Sequence, residues 1–109
     1  MSWEDHHART AILHEVLARA AVDPATPGLF YDLPDCDRLF GGPAGVLAAL
    51  RYRWDNHLRA KLEQTHERGL PSALAYREMM AEQPVLFEVL HAHLGRDWHE
   101  PDSGQSRAA

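Results

Sequence analysis

A chain of 109 residues has room for one domain rather than two. Hydrophobic residues make up 45% and charged residues 25%, which is ordinary for a globular protein. The formal net charge of −5 argues against a protein that mainly binds the phosphate backbone of nucleic acid, so we expect no nucleic-acid partner.

Neither a membrane partner nor secretion is expected from the hydropathy pattern. The longest apolar stretch, at about 44–50, is far shorter than the roughly 20 residues that span a bilayer. The first residues lack the basic and apolar regions of a secretory signal, so we expect a cytoplasmic protein. A single cysteine excludes an intrachain disulfide framework.

The first predicted helix runs from about Trp3 to Val22. Ser2 suits the N-cap, because its hydroxyl oxygen can accept a free backbone N–H, and acidic residues follow in the first turn. Apolar side chains then recur at helical spacing, at Ala8, Ile12, Leu13, Val16, Leu17 and Ala20.

The segment 23–42 is rich in proline and glycine and has no clear period. It also carries leucine, phenylalanine and tyrosine side chains, which a solvated linker would lack. We therefore expect it to pack across the helices, with a short helical turn at about Asp35 to Phe40. Whether it forms a binding pocket or only caps the core stays open at this point.

Three more helices are predicted after this segment. The longest begins at Pro43 and ends near Arg68, with Leu47, Leu50, Trp54, Leu58 and Leu62 on one apolar stripe. Gly69 suits a left-handed C-terminal cap. Two shorter helices follow, at about Pro71 to Ala81 and Pro84 to Leu94, and Gly95 ends the second.

The pattern predicts an all-α fold. It is a single-domain helical bundle of about four helices over residues 1–100, with a long Pro/Gly-rich packed loop between the first two long helices. Residues 101–109 have no large apolar side chain, so we expect a disordered C-terminal tail.

Eight histidines are the compositional feature that most suggests a function. Neighbouring or alternating pairs such as His91 and His93 diverge around a helix and cannot share a metal ion. His57 and His93 are expected on the apolar sides of two different helices, where a histidine usually bonds a carbonyl or a carboxylate. A metal site would have to be assembled across helices, for instance from His57, His93 and His99, and we expect no metal and no cofactor.

Other patterns are explained by structure alone. Two flanking carboxylates disfavour the Cys36 thiolate, so this cysteine is a poor candidate nucleophile. The sequence from Gly41 to Gly45 suffices as a tight turn into a helix and lacks the spacing of a phosphate loop. No catalytic constellation is evident, although histidine acid–base chemistry in a small enzyme stays an open alternative.

The leading hypothesis is a protein–protein interaction module that self-associates. Its basis is a surplus of aromatic residues outside the helical stripes, some of which should remain at the surface. The alternative is a ligand- or metal-binding bundle that uses histidines near Trp54, and a factor that contacts transcription proteins is a further one. The candidate interaction or ligand-binding residues are Phe30, Tyr31, Phe40, Trp54, His57, His93 and Trp98.

Overall fold

The computed structural model describes residues 2–95 and residue 98. It contains five helices: α1 at Trp3–Val22, α2 at Cys36–Phe40, α3 at Pro43–Glu67, α4 at Ser72–Glu82 and α5 at Pro84–Leu94. The described residues form no strand, so the predicted all-α class is confirmed, with five helices instead of about four. The fifth is the short α2. The predicted disordered tail, 101–109, lies outside the described residues.

Helix ends follow the local chemistry of the sequence. The Ser2 hydroxyl accepts a hydrogen bond from the Asp5 backbone N–H at 3.0 Å, which caps α1. Pro43 opens α3, where its missing N–H costs no hydrogen bond. Gly69 and Gly95 follow α3 and α5 with φ angles of 70° and 94°, a region that favours glycine.

A core of apolar side chains joins the five described helices and the connecting segment. Helix α1 contacts α2 and α5, while α3 contacts α2, α4 and α5. The largest fully buried side chains are those of Trp54, Leu29, Leu50, Met79, Leu86, Leu90, Val16, Val46 and Val89. The apolar stripes predicted for α1 and α3 thus supply core residues. No described helix is both long enough and apolar enough to cross a membrane.

The segment between α1 and α2 is held by side chains rather than by a regular backbone ladder. Leu29 is fully buried, and Leu33 packs against the core. The Arg19 guanidinium Nη1 lies 3.0, 3.3 and 2.6 Å from the carbonyl oxygens of Gly28, Leu29 and Tyr31. One arginine of α1 therefore satisfies three carbonyls that no helix or strand would satisfy.

An ion-pair cluster links α3 to α4. The Lys61 ammonium donates to Glu78 at 3.3 Å and also to Glu82. The hydrogen bond to Glu82, more than that to Glu78, raises the pKa of Lys61 above its usual value. The lysine is therefore charged at neutral pH, where both carboxylates are ionised as well.

Helices α2 and α3 approach each other unusually closely. The chain reverses between them through Gly41 and Gly42, whose φ angles are 78° and 109°. A Cβ atom added to Gly45 would lie 1.6 Å from the Phe40 carbonyl oxygen, which is far inside van der Waals contact. Only glycine therefore fits this position of α3 without moving α2.

Gly45→Ala is expected to destabilise the protein by about 1–3 kcal/mol, the typical cost of overpacking. Helix propensity alone favours alanine over glycine by about 1 kcal/mol and would stabilise the protein. The sign of the measured change therefore shows whether overpacking outweighs helix propensity. The free energy of unfolding is measured by urea titration with circular dichroism. Gly28→Ala is the control, because an added Cβ meets nothing within 4 Å there. An equal or greater stability of Gly45→Ala would contradict the close approach.

Candidate functional site

The seven residues predicted from sequence occupy three separate places. Trp54 and Trp98 lie in the core. Phe30 and His93 are in contact where α5 ends near the segment that follows α1, and Tyr31 follows Phe30 in the chain. Phe40 and His57 line a groove between α1, α2 and α3.

The two tryptophans pack against each other. Their ring centroids are 5.2 Å apart with an interplanar angle of 72°, and the Phe87 ring lies 5.8 Å from each. Trp54 is 1% exposed, as the apolar stripe of α3 predicts. Trp98 is only 7% exposed, so it is not among the aromatic residues that remain at the surface. It lies beyond the last helix and covers the Trp54 ring, which the helical period could not indicate.

His93 is the centre of a small surface at the end of α5. Its Nε2 lies 3.0 Å from the Pro24 carbonyl oxygen and its ring packs edge-on to Phe30, 5.4 Å between centroids. The predicted carbonyl contact of a histidine on this helix is thus present, although the His93 side chain is exposed. Both contacts tie α5 to the segment after α1.

Three exposed apolar side chains are close in sequence to the residues of that contact. Val22 precedes Pro24 by two residues, Tyr31 follows Phe30, and Leu94 follows His93. Their exposed fractions are 89% for Val22, 77% for Tyr31 and 39% for Leu94. We call Val22, Tyr31, His93 and Leu94 the end patch.

The second surface is a groove of about 750 Å³ between α1, α2 and α3. Small or apolar residues of the lining are Leu13, Leu39, Phe40, Gly45, Ala48 and Ala49. Polar residues of the lining are Arg9, Tyr52, Arg53, Asn56 and His57. We call this surface the α1–α3 groove. Two arginines and a histidine stand in the lining, but no carboxylate does.

Arg9 is held in a fixed position inside the groove. Its Nη1 donates to the Leu39 carbonyl oxygen at 2.6 Å. The centre of its guanidinium lies 4.3 Å from the centroid of the Phe40 ring, a cation–π distance. The arginine therefore joins α1 to α2, and the Leu39 bond uses only one of its five N–H donors.

His57 does not lie on a buried apolar side of α3, so that expectation is wrong. The side chain is exposed and lines the open groove, on the side of α3 that no other described helix covers. His93 has other neighbours, Pro24 and Phe30. The structure therefore does not bring the two histidines to one site near Trp54.

The described residues offer no metal centre: none of their His, Cys, Asp and Glu side chains form a group of three or more that could hold an ion. His99, the third histidine considered from sequence, lies outside the described residues. The residues 2–95 therefore supply no geometric support for the metal-binding alternative.

Several residues of the two surfaces were not singled out as site candidates from the sequence. Val22 and Leu94 end their helices and look like ordinary members of apolar stripes. Tyr52 and Arg53 directly precede the core residue Trp54 in the sequence, which favours an ordinary solvated helix face and gives no sign of a groove. The sequence feature that could have indicated the groove is the set of small residues Gly45, Ala48 and Ala49, whose short side chains leave room beside α3.

Comparisons with protein-family models, with curated proteins and with solved structures found no match to this chain. Function is therefore inferred from the end patch and the α1–α3 groove alone.

Cys36 belongs to neither surface and is not poised for nucleophilic chemistry. It is the buried first residue of α2 and is 8% exposed. Burial, and to a smaller extent the charge of Asp37, raises the pKa of the Cys36 thiol. Less thiolate is present at neutral pH as a result, and thiolate is the reactive form.

Native protein is expected to react with iodoacetamide at pH 8 at least about tenfold more slowly than glutathione. Asp37→Asn should raise this rate only slightly, because burial is the larger cause of the raised pKa. The rate is followed by mass spectrometry, with urea-unfolded protein as the control that restores reactivity. Alkylation of the native thiol as fast as glutathione would contradict its burial.

Proposed function

We propose that this chain is a small all-α protein–protein interaction module that pairs with a second copy of itself through the end patch. The proposal rests on one observation. Three exposed apolar side chains each lie within two sequence positions of a residue in the contact between His93, Pro24 and Phe30. The proposed place of action is the cytoplasm, where a lone reduced thiol such as Cys36 is stable.

The exposure of these side chains supports an interface. Burying a valine or leucine side chain contributes about 1.5–3 kcal/mol, so exposed apolar groups gain free energy from a partner. Tyr31 adds a large ring with few rotatable bonds, and tyrosine is enriched among residues that dominate binding energy. A patch of this composition favours another apolar surface rather than a charged one.

The backbone under the patch is held in place. Arg19 bonds the carbonyls of Gly28, Leu29 and Tyr31, and Arg19 in turn pairs with Glu15 at 2.8 Å. Because these contacts order the loop before any partner arrives, association loses less conformational entropy. Preorganisation supports a binding role for Tyr31 over a role as a flexible loop residue.

The absence of charge on the apolar side chains of the patch supports a symmetric dimer. Val22, Tyr31 and Leu94 are uncharged, so two identical patches meet without like-charge repulsion. Two-fold pairing of one patch with itself is also the commonest arrangement of homo-oligomers. The ligand- or metal-binding alternative has no comparable support, because His57 and His93 have separate neighbours.

Val22→Lys is expected to weaken dimer formation at least about tenfold, because each copy then places a charge in an apolar interface. The folded monomer should tolerate the change, since Val22 is 89% exposed and a cation suits the end of a helix. Sedimentation velocity from about 10 µM to about 1 mM gives the dissociation constant.

Trp3→Lys is the matched control for this measurement. Trp3 is 74% exposed at the other end of α1, about 28 Å along the helix. It carries the same change from apolar to charged, so dimerisation should persist. A wild-type chain that stays monomeric at the highest concentration, or equal losses in both variants, would sink the proposed interface.

A further inference from the structure

The α1–α3 groove has a cationic lining on an acidic protein. The chain carries a net charge of −5, yet Arg9, Arg53 and His57 line the groove without a carboxylate among the lining residues. An acidic ligand would meet favourable charge inside the groove and repulsion elsewhere on the surface. Charge complementarity of this kind selects the partner and its orientation.

The two arginines have no acidic partner within residues 2–95. Arg19, Arg38 and Arg51 all form salt bridges with carboxylates. Arg9 bonds a carbonyl and Arg53 forms no salt bridge in the part of the chain that the structure describes. Their charges are therefore available to a ligand.

Arg9 is also prepared for a carboxylate. Stacking on Phe40 and the bond to the Leu39 carbonyl hold the guanidinium plane in one orientation. The planar group has five N–H donors, and the Leu39 bond uses one of them. A guanidinium whose rotamer is already set loses little entropy when it forms paired bonds to a carboxylate.

The groove is too long and too apolar for a small anion alone. A second concavity, with Asn56, His57, Ala60, Lys61 and Gln64, continues it along α3. The open face of α3 from Gly45 to Gln64 extends about 28 Å. Leu13, Leu39 and Ala48 add apolar surface beside the arginines. The complementary ligand has carboxylates and apolar side chains on one face, as an acidic amphipathic helix does.

Two other occupants fit less well. A second copy seated groove against groove would bring Arg9 and Arg53 of both chains together, which like charge disfavours. A nucleic acid would meet the apolar lining with its phosphates, and the net charge of the protein would repel the rest of the strand. The apolar lining thus favours a peptide.

We propose that the α1–α3 groove binds an acidic amphipathic segment of a partner protein, with Arg9 and Arg53 receiving its carboxylates and Leu13 and Leu39 its apolar side chains. This site is separate from the end patch. It adds a second partner class, a different protein, to the proposed self-association.

The test uses a fluorescein-labelled helical dodecapeptide with leucines on one face and glutamates beside them, together with a second peptide that has glutamine for every glutamate. Fluorescence anisotropy with the full-length protein gives both dissociation constants. The glutamate peptide is expected to bind at least about tenfold more tightly. Equal affinities, or no binding of the glutamate peptide, would overturn the proposal.

Arg53→Gln should weaken binding of the glutamate peptide about tenfold, since it removes one ion pair and no intramolecular salt bridge. Arg59→Gln is the control, because Arg59 is an exposed arginine of the same helix outside the groove lining. Equal losses in the two variants would indicate general electrostatic attraction and contradict the site. Arg9→Lys should also weaken binding, because lysine keeps the charge but loses the planar, stacked group.

Further measurements separate this proposal from the other possibilities. Peptide binding should persist in Val22→Lys, and self-association should persist in Arg53→Gln, so each proposal can fail alone. Displacement of the peptide by random duplex DNA would overturn the proposal in favour of a nucleic-acid ligand. Loss of dimerisation in Arg53→Gln would overturn it in favour of a second copy.

Discussion

The contact between the Phe40 carbonyl and Gly45 determines how α2 and α3 pack against each other. At this point α2 lies so close to α3 that no side chain fits between them. The approach places Leu39 and Phe40 beside the first half of α3, where Arg9 of α1 reaches both. One missing Cβ atom thus sets the position of α2, and with it a whole wall of the α1–α3 groove.

The same contact explains why α1 and α3 enclose a groove rather than a packed interface. Helix α1 rests on α2 and α5, while α3 rests on α2, α4 and α5. Since α2 occupies the space beside Gly45, the next turns of α3 face outward, with Ala48, Ala49 and Tyr52 along the opening. Tyr52 is 67% exposed there. Such exposure does not fit a residue packed between helices and is ordinary for a residue on a binding surface.

Much of the fold was predictable because it depends on local chemistry. The cap at Ser2, the proline at the start of α3 and the glycines after α3 and α5 act within a few residues of where they stand. The apolar period likewise indicated that Trp54 faces the core. These features need no knowledge of the neighbouring helix, so a single sequence contains them.

The errors share one physical cause. Periodicity tells which side of a helix is apolar, but not which other element covers it. His57 was expected on the apolar side of its helix and is exposed, because that part of α3 borders the open α1–α3 groove. Trp98 was one of several aromatics of which some were expected at the surface, and it is buried because it packs on Trp54. Both positions are decided by contacts between residues far apart in the chain.

Two arginines of α1 show how similar side chains take different roles. Arg19 holds the connecting segment through the carbonyls of Gly28, Leu29 and Tyr31, and Arg9 holds α2 through the Leu39 carbonyl. Glu15 neutralises Arg19, which therefore has only a structural part. Arg9 instead stacks on Phe40, which fixes its position and leaves its charge unpaired by any described carboxylate. Of the two arginines of α1, only Arg9 at the groove lacks a described carboxylate partner, so recognition of an acidic partner belongs at Arg9 and not at Arg19.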